Sequence, residues 1–136
     1  MSQEIRVQVN CPNCYGSLIE PGVQVDALDS ILFLTKVGNS RGHLYLSQIY
    51  GSGNKIFQQV EDIAGAIVAY FCPRCDTAFP EVGTCECMAS KNALYLNDGG
   101  YVEVCTRNGC RQHWLEFKNI DDAFRVFQNQ DEVGFF

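Results

Sequence analysis

Eight cysteines, gathered in four close pairs, are the residues of this chain best able to do chemistry. They stand as Cys11-Pro12-Asn13-Cys14, Cys72-Pro73-Arg74-Cys75, Cys85-Glu86-Cys87 and Cys105-Thr106-Arg107-Asn108-Gly109-Cys110. Thiols so placed can ligate metal, join as disulfides or act as a redox dithiol. In Cys-x-x-Cys the backbone turns so that both sulfurs reach one ion at about 2.3 Å, and the amides of the turn point at the thiolates and offset their charge. Four pairs suffice for two tetrahedral sites. Disulfides need an oxidising compartment, whereas the opening MSQEIRVQVN has neither the basic start nor the apolar run of a secretory signal. A redox dithiol belongs at the start of a helix that follows a strand, and neither Cys-Pro-x-Cys pair is followed by a helical pattern. Metal is therefore the favoured use of the cysteines, and the expected location is cytoplasmic.

The first two pairs are alike beyond their cysteines. CPNCYGSLIEPG and CPRCDTAFPEVG share Cys, Pro and Cys, an apolar residue at the eighth position (Leu18, Phe79) and glycine at the twelfth (Gly22, Gly83). Here the chain resembles the zinc-ribbon and rubredoxin-like group of folds, in which two Cys-x-x-Cys knuckles on adjacent hairpins clamp one metal. The resemblance covers the cysteine segments and implies a first site of Cys11, Cys14, Cys72 and Cys75. It departs from the usual ribbon in the long stretch between the two knuckles, which must form an inserted antiparallel sheet over residues 23–71.

Cys85, Cys87, Cys105 and Cys110 make up the second site. The segment Asn97-Asp98-Gly99-Gly100 lies between the two pairs, and a hairpin there brings them together. His113, three residues past Cys110, could replace one thiolate. An interleaved pairing, with Cys11 and Cys14 sharing an ion with Cys85 and Cys87, is the alternative found in cross-braced zinc domains. The plain alternative for all eight is free buried thiols, which leaves two copies of Cys-Pro-x-Cys to chance.

Alternation of Ile5, Val7, Val9 and Cys11 with Arg6, Gln8 and Asn10 has the two-residue period of a half-buried strand that delivers the first ligand. Further strands are expected at Val23–Leu28, Ile31–Val37 and His43–Tyr50, with a hairpin turn over Gly38–Gly42, and at Ala66–Phe71 leading into Cys72. Leu94–Leu96 and Tyr101–Cys105 flank the Asn-Asp-Gly-Gly hairpin, and a last strand covers His113–Phe117. Ile120, Ala123, Phe124 and Phe127 then share one helical face, with Asp121 and Asp122 at its positive end, so a short helix is expected over 120–129. The expected fold is mostly β, a small α+β chain of two ribbon-like zinc units, 1–83 and 84–136, packed as one compact body.

Four thiolates saturate a tetrahedral ion and quench its Lewis acidity, so structural zinc is expected and catalysis is not. No deaminase signature is present, since His43 is followed by Leu44 and Tyr45. Tyr50–Lys55 lacks the spacing of a phosphate-binding loop. The net charge of −6 would become about −10 with two tetrathiolate zinc sites, which disfavours nucleic acid. The longest apolar patch, Ala64–Phe71, is too short to span a membrane. These readings converge on a non-catalytic, zinc-binding interaction module with two Zn²⁺, an accessory subunit or adaptor reaching a protein partner through strand edges or its C-terminal Phe135 and Phe136. A rubredoxin-like electron carrier with iron in the first site is the alternative, and a nucleic-acid-binding ribbon comes third.

Overall fold

The computed structural model describes residues 5–97, 99–110 and 116–117. They form ten strands: β1 (Val9–Asn10), β2 (Ile19–Val25), β3 (Leu28–Val37), β4 (Ser40–Leu46), β5 (Lys55–Gln58), β6 (Ala69–Phe71), β7 (Glu81–Thr84), β8 (Ser90–Leu96), β9 (Tyr101–Cys105) and β10 (Glu116–Phe117). Among the described residues there is no helix and all pairing is antiparallel, so the expected α+β class is corrected to all-β. The predicted helix 120–129, His113 and the two terminal phenylalanines lie outside the described residues.

One sheet runs β2-β3-β4-β5 and the other β1-β8-β9-β10. In each, a long strand carries two short partners in tandem along one edge. β2 pairs with the first part of β3 and β6 with its last part, at Leu34↔Phe71 and Lys36↔Ala69. In the other sheet β7 pairs with the start of β8 and β1 with its end, at Val9↔Leu96 and Asn10↔Tyr95. Sheet membership therefore crosses chain order twice. The strand that enters the first knuckle joins the sheet of the C-terminal half, and the strand that enters the second knuckle joins the sheet of the N-terminal half.

Local chemistry sets the hairpins. Gly38, at φ 59°, and Asn39 close β3 onto β4 with Val37 opposite Ser40. Gly99 and Gly100, at φ 97° and 83°, return β8 onto β9 with Tyr95 opposite Tyr101. The predicted strand Val23–Leu28 is broken instead by a two-residue turn at Asp26-Ala27, with φ of 56° and 63°. No glycine marks that turn, and aspartate is among the few other residues that tolerate the left-handed region. The predicted Ile5–Cys11 strand pairs continuously only at β1, with Arg6 bridged to Ile49. β5 and β7 were not foreseen, because neither shows a clean two-residue alternation.

One apolar cluster draws on both sheets and both knuckles. Val7, Val9, Leu18 and Phe33 come from the first half; Val68, Tyr70, Phe79 and Leu94 come from the second, all buried. Phe33 sits between Tyr70 and Phe79, each ring centroid 5.1 Å away, at a separation where tilted and edge-on ring pairs attract. The Tyr70 hydroxyl, with almost no exposure, donates to the Cys105 carbonyl at 3.1 Å. Burial keeps that phenol protonated, and its bond links the core to the second cysteine group.

Candidate metal centres

The eight sulfurs fall into two groups, Cys11, Cys14, Cys72 and Cys75 in one and Cys85, Cys87, Cys105 and Cys110 in the other, each with its ligand atoms within 4.8 Å of one another. The grouping is sequential rather than interleaved. His113 lies outside the described residues.

In the first group the knuckles face each other in reciprocal fashion. Cys11 Sγ lies 3.8 Å from Cys75 Sγ, and Cys14 Sγ lies 3.7 Å from Cys72 Sγ. The backbones match as well. The amide of Tyr15 donates to the Cys11 carbonyl at 2.8 Å and that of Asp76 to the Cys72 carbonyl at 2.9 Å. Asn13 N–H points at Cys11 Sγ and Arg74 N–H at Cys72 Sγ, both at 3.3 Å. Such amides offset thiolate charge. Each knuckle then closes with a left-handed residue, Tyr15 at φ 62° and Asp76 at φ 58°.

The second group is built by a turn and a strand end. Cys85 and Cys87 occupy the loop between β7 and β8, tightened by the Met88 amide donating to the Cys85 carbonyl at 2.9 Å. Cys105 ends β9 opposite Lys91 at the start of β8, so the antiparallel β8–β9 ladder brings the pairs together. Cys85 Sγ is 3.7 Å from Cys110 Sγ, and Cys87 Sγ is 3.5 Å from Cys105 Sγ. Arg107 supports the site twice, its amide 3.4 Å from Cys105 Sγ and its guanidinium donating to the Cys87 carbonyl at 3.4 Å.

These distances discriminate between the uses of a thiol. A disulfide requires sulfurs about 2.05 Å apart, and none of the eight is so joined. Sulfurs at the corners of a tetrahedron about 2.3 Å from a central ion stand about 3.8 Å apart, close to the four separations found. Both groups therefore fit a metal ion.

Charge tells the same story. Burial pushes Cys72 up to about 12 and also raises Cys11 and Cys105. Hydrogen bonds from Thr77 bring Cys75 down to about 7, and the Ala89 amide, ahead of Arg107, brings Cys87 down to about 6. Each group thus sets a buried sulfur that resists ionising, Cys72 in one and Cys105 in the other, beside a more exposed one prepared for it, Cys75 and Cys87. A cation is what allows all four to be thiolates together.

Sequence reasoning found all eight cysteines but missed Arg74 and Arg107. Each follows its cysteine by two residues, a position where an amide meets sulfur and a long side chain can reach back. Among the described residues no helix is long and apolar enough to cross a membrane. No family model, curated protein or solved structure matches this chain.

Proposed function

We propose that the protein is a non-catalytic zinc-binding interaction module, an accessory subunit or adaptor within a larger complex. The observation that carries this reading is closure. Each candidate centre brings together four sulfurs, a set that fills a tetrahedral ion and leaves no position for water or substrate. An ion so held stiffens the chain, and its binding energy becomes folding energy. Partner binding is supported by surface aromatics. Tyr15, 68% exposed, stacks on Tyr95 at 6.0 Å, and Tyr101 stands opposite Tyr95 across the β8–β9 ladder. Tyrosine is favoured at interfaces because it offers a large apolar face and a polar tip.

A second reading, iron in the first centre and electron transfer, draws support from the exposure of Cys14 and the partial exposure of Cys75, which bring ligand sulfur to the surface. Affinity purification of the full chain, with elemental analysis and a visible spectrum of the eluate, separates the readings. A colourless zinc protein with a stoichiometric protein partner supports the module. A red iron protein that is reversibly reduced supports the carrier, and turnover of a substrate by the purified chain defeats both.

A further inference from the structure

The repeat of the Cys-Pro-x-Cys segments continues through the described chain. The step that carries Cys11 to Cys72 also carries Val7 to Val68 and Ala27 to Met88. Val7 N–H donates to the Gln48 carbonyl at 2.7 Å, as Val68 N–H donates to that of Thr106 at 2.8 Å. Tyr50 N–H donates to the Ile5 carbonyl at 2.7 Å, as Asn108 N–H donates to that of Ala66 at 2.8 Å. The isolated bridges Arg6↔Ile49 and Ile67↔Arg107 are the same pair in the two halves. Ala27 and Met88 are left-handed at φ 63° and 76°, and Gly51 and Gly109 at 87° and 82°.

This correspondence places Ser47-Gln48-Ile49-Tyr50-Gly51-Ser52 on Cys105-Thr106-Arg107-Asn108-Gly109-Cys110. Ser47 falls on Cys105 and Ser52 on Cys110. The Ile49 amide donates to Ser47 Oγ at 3.0 Å where the Arg107 amide points at Cys105 Sγ. Across from them the turn closed by Val25 and Leu28 matches the turn closed by Cys85 and Ala89 but is one residue shorter. Asp26 holds the place of Cys87, and buried Val25 that of buried Cys85. Asp26 fills the centre: Ser47 Oγ donates to it at 2.5 Å, Ser52 Oγ at 2.7 Å and Asn54 Nδ2 at 2.6 Å.

We infer that Asp26, Ser47 and Ser52 occupy the ligand positions of a third centre, the counterpart of the Cys85/Cys87/Cys105/Cys110 group, closed by a hydrogen-bonded carboxylate instead of a metal ion. The chain is thus a strand-exchanged duplication with one shared centre at its pseudo-twofold axis and one peripheral clasp in each half. Of the two clasps, one is built for an ion and the other works without one. The hydrogen bonds of Ser47, Ser52 and Asn54 also hold the Asp26 carboxyl below the usual range, so at neutral pH it is the anion such a clasp requires.

The test compares metal content of the full chain with that of two variants. In Asp26→Cys/Ser47→Cys/Ser52→Cys three thiols stand where three ligands are needed, and a water can complete the tetrahedron. Titrated with Co²⁺ alone, this variant takes up one equivalent more than the parent chain, with added thiolate-to-cobalt absorption. An unchanged stoichiometry in a folded variant, with the new thiols open to alkylation, overturns the inference. Asp26→Ala decides the matter should the triple variant not fold. It keeps the parent's metal content while amide exchange at Ile49 and Ser52 rises at least tenfold; lowered metal content or unchanged exchange counts against the clasp. Because both variants are read relative to the parent, failure of the parent to bind metal is a separate outcome.

Discussion

Asn13 and Arg74 hold the same third position in their knuckles, and each reaches across the first centre to the other knuckle's backbone. The Asn13 amide donates to the Ala78 carbonyl at 3.2 Å, and the Arg74 guanidinium donates to the Ser17 carbonyl, Ala78's counterpart, at 2.6 Å. The two knuckles are therefore tied together by protein as well as by their sulfurs. Neither bond touches a ligand atom, so both act by fixing how the four thiols face one another.

Replacing both side chains, in Asn13→Ala/Arg74→Ala, is expected to weaken metal at the first centre about tenfold, the lower end of what supporting contacts contribute. The second centre keeps its affinity. Competition with a chromophoric chelator, resolving two classes of site, checks this.

The left-handed residue that closes each knuckle gives a prediction of opposite sign at one position. Asp76 sits at φ 58° with its side chain exposed. Asp76→Gly keeps or raises stability by up to about 1 kcal/mol, while Asp76→Val, branched at Cβ, lowers it by about 1–2 kcal/mol. Denaturant unfolding of the metal-loaded variants measures both.

Much of this was legible in the residues and some was not. The cysteine pairs, their sequential grouping and the Gly38 and Gly99-Gly100 hairpins follow from local chemistry, because ligand spacing and positive φ are written in a few adjacent residues. The turn at Asp26-Ala27 was missed because it carries no glycine. The exchange of β1 and β6 was missed because the alternation of Val7, Val9 and Cys11 tells which face is buried but not which strand lies alongside. The kinship of SQIYGS with CTRNGC stayed hidden because serine replaces the cysteines and only one glycine marks the match.

The two centres are expected to differ in what they hold up. Cys72 is fully buried within the cluster that joins both sheets, whereas Cys85 and Cys105 belong to a small satellite cluster with Ala89. Cys72→Ala should prevent cooperative folding, since it leaves three thiols and a gap in the shared core. Cys87→Ala should fold with the first centre intact and the second, reduced to three thiols, holding metal much more weakly. Thermal unfolding together with metal content per chain distinguishes these outcomes.

Metal uptake should release protons. Cys11, Cys72 and Cys105 are raised by burial and carry their protons at neutral pH, so each must lose one when an ion enters. Affinity is therefore expected to fall as pH drops from about 8 to about 6, by up to tenfold per unit for each proton displaced. Calorimetry in buffers of differing ionisation enthalpy counts those protons; an affinity that does not change with pH would contradict the assignment.

The most direct measurement is elemental analysis of the full chain, purified without added metal, beside a count of its reactive thiols. Two zinc ions per chain, with all eight cysteines reduced and shielded from alkylation until a chelator is added, is the predicted result. A chain that carries no stoichiometric metal, or whose cysteines are joined as cystines, would contradict the account.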